Sequence, residues 1–106
     1  MSTHFAVRWT PEAEADALAI VEHFNDPINA EKVITQFGVK ADSLQTLPER
    51  GRVVPELRTI GVLAYLELIH KPWRMIYTIC GKEVWIMAVV DARRQLADVL
   101  FERLTG

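Results

Sequence analysis

Apolar and polar positions change their period several times along the chain, and each change marks an element. Phe5, Val7 and Trp9 alternate within residues 4–9, the two-residue period of a strand. Over residues 11–25 the period becomes helical: Ala13, Ala17, Ile20, Val21 and Phe24 form one stripe, with Glu14, Asp16, Glu22 and His23 mainly off it. Thr10-Pro11 supplies an N-cap and a proline at the first helical position, and Glu12 and Glu14 lie beside the positive end. Asp26-Pro27 repeats that start signal, so the two helices are predicted to form an antiparallel hairpin with a very short turn. The second stripe, Ala30, Val33, Ile34, Phe37, Ala41, Leu44 and Leu47, is the clearest periodicity in the chain. It predicts one long helix over residues 27–47, roughly 30 Å at the standard rise. Gly38 inside it costs about 1 kcal/mol relative to alanine and marks a kink or a close helix crossing. Leu47 precedes Pro48 and is driven out of the α region, which ends the helix.

The second half reads differently. Residues 48–58 hold two prolines, a glycine and three arginines and predict a loop, with an extended piece at Arg52-Val53-Val54. Residues 62–70 are a strand by composition, and Lys71-Pro72 turns the chain back. Residues 73–90 then give two β-branched and aromatic strands joined at Cys80-Gly81-Lys82, where glycine supplies the positive φ of a tight turn. Leu96, Val99, Leu100 and Leu104 keep helical spacing within residues 95–104 and predict a closing helix that Asp91 N-caps. Both faces of the strands are largely apolar, so cover is expected on both sides: the helical hairpin on one, a later helix or a partner on the other. The predicted fold class is α+β. A small, mostly antiparallel sheet, made of the N-terminal strand and a three-stranded meander, is packed by an N-terminal helical hairpin and a short C-terminal helix.

Composition narrows the function. At 106 residues, half of them hydrophobic, the chain is expected to form a single domain over residues 1–106. Its net charge of −2 gives no bulk attraction to nucleic acid or an anionic membrane. The average hides an asymmetry. Residues 1–47 carry three basic against seven acidic side chains, residues 48–106 nine against seven, so an anion-facing site is expected in the second half. The lone Cys80 makes no intramolecular disulfide, and the expected setting is a reducing cytoplasm. No long apolar span calls for a membrane. Glu14 and Asp16, two apart on a helix, do not face each other, and no metal or cofactor is expected.

The candidate chemistry is basic. Arg74 stands alone in an apolar hairpin, and Glu67 is a candidate cross-strand partner if the register places both on one face. Arg50, Arg52 and Arg58 suit an anion-facing or acidic-partner-facing surface, because the planar guanidinium forks onto oxyanions. Arg93 and Arg94 are predicted in the first turn of the closing helix, where the dipole disfavours a cation; that conflict points to an anionic partner.

Taken in order, several stretches resemble the RelE/ParE superfamily of bacterial toxin–antitoxin modules. They are Trp9-Thr10-Pro11 with Ala13, the run from Leu47 through Pro48-Glu49-Arg50-Gly51-Arg52 to Leu57, Tyr65-Leu66-Glu67-Leu68, Trp73-Arg74-Met75-Ile76-Tyr77, and Val84 to Val90 followed by Arg93-Arg94. The Pro-Glu-Arg-Gly-Arg loop and the Trp-Arg-Met-Ile-Tyr strand are similar to the ParE-like, plasmid-stabilisation branch. The resemblance implies a toxin that binds and inhibits DNA gyrase, causes growth arrest and is neutralised by a cognate antitoxin in a hetero-oligomer. The RelE-like alternative is a ribosome-dependent messenger RNA endonuclease. In that case Arg74 and Arg93, with Arg52 or Lys71 in addition, stabilise the cleaving phosphate. Arg74 matches the superfamily's strand arginine and Arg93 the basic position after the last strand. Arg52, Lys71, Arg74, Arg93 and Arg94 are therefore the candidate target- or anion-binding set.

Departures favour the binder. The closing helix offers Val99, Leu100 and Phe101 where a ribonuclease has a tyrosine, and no histidine lies beyond His70. Arginine does not exchange protons near neutrality. Leu66 and Asp91 stand where many relatives have arginine and histidine, which adds a third alternative, a degenerate non-toxic homologue that still binds antitoxin. The antitoxin is expected to lay an amphipathic helix, with an added strand, over the apolar sheet or the helical hairpin. That interface should bury more than about 1,000 Å² in total.

Overall fold

The two strands from Trp73 to Asp91 form the centre of the molecule. The computed structural model describes residues 4–93 and 96–105, and within them a five-stranded sheet carries helices on both faces. In chain order the elements are β1 (Ala6–Trp9), α1 (Pro11–Glu22), α2 (Pro27–Asp42), a 3₁₀ turn (Ser43–Gln45), β2 (Arg52–Val53), α3 (Pro55–Arg58), β3 (Tyr65–His70), β4 (Trp73–Cys80), β5 (Glu83–Asp91) and α4 (Leu96–Thr105). The sheet order is β1-β5-β4-β3-β2. β3, β4 and β5 form the antiparallel meander, and β1 adds in parallel to β5 with Ala6 opposite Glu83 and Trp9 opposite Ile86. Gly81, at φ 61°, makes the β4–β5 turn, the conformation a glycine adopts without steric cost. The α+β expectation holds.

Both helix starts follow from their caps. Thr10 Oγ1 accepts from the Ala13 amide at 3.1 Å and Asp26 Oδ1 from the Ile28 amide at 2.9 Å, each with proline next in line. α1, α2 and the 3₁₀ turn seat Ala13, Ala17, Phe37, Ala41 and Leu44 against Leu68, Met75, Tyr77, Val84, Ile86 and Val89 of the sheet. Phe37 meets Trp73 and His70 edge-on, with ring centroids 5.4 and 5.5 Å away. The opposite face is covered by α3 and α4 through Val54, Leu57, Leu96, Val99 and Leu100, packed on Ile76, Ala88 and Val90. The later helix, rather than a partner, covers that side. With described helices on both faces, the expectation of an antitoxin helix on the bare sheet is corrected, while its alternative, the outer surface of the helical hairpin, is untouched.

Several boundaries differ from the sequence reading. The α-helix expected over residues 27–47 stops at Asp42 and tightens into the 3₁₀ turn. There the Ser43 hydroxyl donates to the Lys40 carbonyl and competes with the helical ladder. Leu47 consequently leaves the stripe and is exposed. Gly38 marks no close crossing, since a Cβ there would meet nothing within 4 Å. The loop over residues 48–58 contains a fifth strand, β2, and a short helix, α3. Asp91 is the last residue of β5 rather than the N-cap of a helix that starts at Leu96, so Arg93 lies ahead of the first helical turn. Arg94 lies outside the described residues.

β5 carries one extra residue. Ile76 faces Ala88 while Tyr77 faces Ile86, which leaves Met87 as a bulge. Past the end of β1, the exposed edge of β5 is capped by side chains. The Met87 carbonyl accepts from Arg103 Nη1 at 3.0 Å, and the Val89 amide donates to Asp16 Oδ2 at 3.0 Å. Arg103 Nη2 meets Asp16 Oδ1 at 2.7 Å, tying α4 to α1 around that edge.

Candidate functional site

Strand register brings Arg52, Glu67 and Arg74 together on the α3 side of the sheet, and α3 adds Glu56 as a fourth charge. Arg52 is directly opposite Glu67, while Glu67 faces Ile76 and Arg74 faces Ile69, so Glu67 and Arg74 share a face on a diagonal. Glu67 is 1% exposed and Arg74 8%. Glu67 bridges the two arginines: Oε2 accepts from Arg52 Nε at 2.7 Å and Oε1 from Arg74 Nε at 2.7 Å. Arg74 Nη1 and Nη2 meet Glu56 of α3 in a bidentate pair at 2.7 and 2.8 Å, and Nη2 also lies 2.6 Å from Glu67 Oε1. Among the described residues no buried side-chain nitrogen or oxygen lacks a partner. The hydrogen bond from Arg74 holds the Glu56 carboxyl well below the usual range, at about 2. The same contacts, Glu56 first, push the Arg74 guanidinium up.

The loop before β2 is pinned so that Arg52 arrives in register. Tyr77 is fully buried, and its hydroxyl donates to the Pro48 carbonyl at 2.7 Å and accepts from the Gly51 amide at 3.0 Å. Burial raises the Tyr77 hydroxyl above its ordinary value. Gly51 has no room for a side chain, since a Cβ would fall 2.5 Å from the Glu67 carbonyl oxygen and 2.7 Å from Tyr77 Oη. Arg50 donates to Ser43 Oγ at 2.7 Å, a second tie on the same loop.

The remaining candidates do not converge on this network. Lys71 is exposed in the β3–β4 turn, and Arg58 is exposed on α3. Arg93 closes onto Asp91, with Nη2 to Oδ2 at 2.7 Å and Nε to Oδ1 at 3.0 Å. The Arg93 guanidinium is raised by that carboxylate. It lines a hollow of about 480 Å³ with Asp16, His23, Phe24, Trp73 and Asp91, whereas Arg74 lines a separate one of about 320 Å³ with Arg52, Pro55, Glu56, Ile69 and Ala92. Among the described residues, no three of His, Cys, Asp or Glu gather to hold a metal, and no helix is long and apolar enough to cross a membrane.

Residues 7–96 match the family model described as the ParE toxin of type II toxin–antitoxin system, parDE. The chain belongs to the ParE toxin family. Its fold is similar to that in the chromosomal ParDE toxin–antitoxin system from P. aeruginosa, with a TM-score of 0.71 and 24% identity over 85% of this chain and 98% of that one. It is also similar to that in the toxin–antitoxin complex RelBE2 from Mycobacterium tuberculosis, with a TM-score of 0.57 and 21% identity over 86% and 94%. A search of curated proteins gave no match.

In this ParE-family chain the network positions charge more than it offers it. Glu56 escapes a reading of the sequence because only the α3 turn brings it back over β4. Gly51 and Tyr77 escape it because their contact spans 26 residues. The one available signal was the glycine between two arginines, a place where the backbone comes close to something.

Proposed function

We propose that this ParE-family toxin acts by binding DNA gyrase and is held inactive by a cognate antitoxin. The state of the Arg74 network carries this reading. A ribonuclease needs a group that gives and takes a proton beside the arginine that steadies the phosphate. Here both arginines face carboxylates, and Glu56 is committed to its ionised form far below neutrality. Arg93, the second arginine of the ribonuclease alternative, lines the other hollow. Arg52, Lys71, Arg93 and Arg94 remain the set through which the toxin would meet an acidic surface of its target. The antitoxin reading draws support from relatives whose structures are toxin–antitoxin systems. It draws further support from a groove of about 400 Å³ between α1 and α2. Trp9, Ala17, Leu18, Ile34, Phe37 and Gly38 line that groove, and the missing side chain at Gly38 leaves it open.

A supercoiling assay with purified gyrase tests the target. Loss of supercoiling with rising toxin, with messenger intact in a translating extract, is the expected pair of results. Unchanged supercoiling at excess folded protein, or truncated messenger in the extract, overturns it. Growth arrest on induction without antitoxin removes the non-toxic alternative.

A further inference from the structure

Glu56 differs from Glu67 although both pair with Arg74. Glu67 is sealed in the sheet, but the Glu56 side chain is 44% exposed. α3 does not depend on Glu56 for its seat, since Val54 and Leu57 anchor it in the apolar cluster. Rotation of the Glu56 side chain alone therefore uncovers Nη1 and Nη2 of Arg74 without unpacking a helix. With Glu56 in place the four side chains sum to zero charge, Arg52 and Arg74 against Glu56 and Glu67. With Glu56 turned away, one positive charge is left beside a hollow of about 320 Å³ whose other walls include Pro55, Ile69 and Ala92. A planar two-oxygen anion is the natural occupant of such a fork. The buried Glu67 lies on the same guanidinium, 2.6 Å from Nη2, so a monoanion is tolerated better there than a doubly charged phosphate.

We propose that the Arg74 fork is a carboxylate-binding site, filled by Glu56 in the free chain and exchangeable for an aspartate or glutamate side chain of a protein partner. The docked partner supplies the local concentration that lets its carboxylate compete with a tethered one. This goes beyond the choice of target and does not rest on it.

Formate, inorganic phosphate and chloride at matched ionic strength are the probes, on the full chain and on Glu56→Ala. Formate should bind Glu56→Ala about tenfold more tightly than wild type by calorimetry. It should also raise the thermal midpoint of the variant more than chloride does. Equal effects of formate and chloride on the variant overturn the site, and stronger binding of phosphate than of formate overturns its assignment to carboxylates. Should Glu56→Ala fail to fold, Glu56→Gln keeps the shape without the charge. There a formate-dependent shift of the Arg74 Nε–H resonance, absent in wild type, is expected, and its absence overturns the proposal. A failed formate titration leaves the supercoiling result standing, so the two readings fall separately.

Discussion

On one face of the sheet, helices of 12 and 16 residues lay Ala13, Ala17, Phe37 and Ala41 over Met75, Tyr77 and Ile86. On the other face part of the cover is α3, only four residues long, and beside it Arg74, Glu67 and Glu56 meet. The long helices bury enough apolar area to hold their face by packing. A single turn of helix buries less: Val54 and Leu57 seat it, and the half-exposed Glu56 reaches from it to Arg74. Beneath it the Arg74–Glu67 pair is buried, and such a pair adds little net stability compared with an apolar replacement while fixing the geometry of the charges around it. The difference separates what keeps the protein folded from what keeps its candidate site in shape.

Substitutions on the two faces should therefore behave differently. The largest effect is expected on the packed face: Phe37→Ala should lower the unfolding free energy by about 3–5 kcal/mol in urea titrations. A loss under 1 kcal/mol would mean that α2 is not held by its apolar stripe. Next, Glu67→Gln should cost about 3 kcal/mol, because Arg74 then keeps a buried charge with half its partners. The pair Glu67→Leu with Arg74→Met should recover most of that loss, and failure to recover would make the charges stabilising in their own right.

A smaller effect is expected at Glu56. Its folded value of about 2 lies below the ordinary 4.5 of a free glutamate, so the unfolded chain takes up the proton first as acid is added. The contribution is fully present above about 4.5 and lost as pH falls toward 2. Glu56→Gln should flatten the fall in unfolding midpoint over that window. At the bottom of the scale, Arg93→Ala should leave the unfolding midpoint nearly unchanged, because the Arg93 side of its pair with Asp91 is 83% exposed.

Elements were legible wherever one local rule decided them. Thr10-Pro11 and Asp26-Pro27 placed both helix starts, and Gly81 placed the hairpin turn. Leu47 misled because the stripe says which face is apolar but not where Ser43 diverts the ladder. β2 was legible only as an extended piece, since two residues have no period to read. At the site, Arg74 and Glu67 stood out as charges in apolar strands, while their pairing depended on a register that no local pattern states. Glu56 and Tyr77 act across 18 and 29 residues, to Arg74 and Pro48, and a linear reading does not see such distances.

The parallel pairing of β1 with β5 carries a consequence for the order in which the protein is made. Ala6 emerges 77 residues ahead of its strand partner Glu83. Closing so long a loop is entropically costly and slows folding relative to local contacts. The helical hairpin can form early, but Phe37 has no Met75 or Ile86 to cover until β4 and β5 have been translated. The nascent chain therefore passes through an interval in which its apolar stripe faces water, its sheet is unbuilt and the Arg74 network does not yet exist. Whatever the finished toxin does, it cannot do until nearly its last strand has been synthesised.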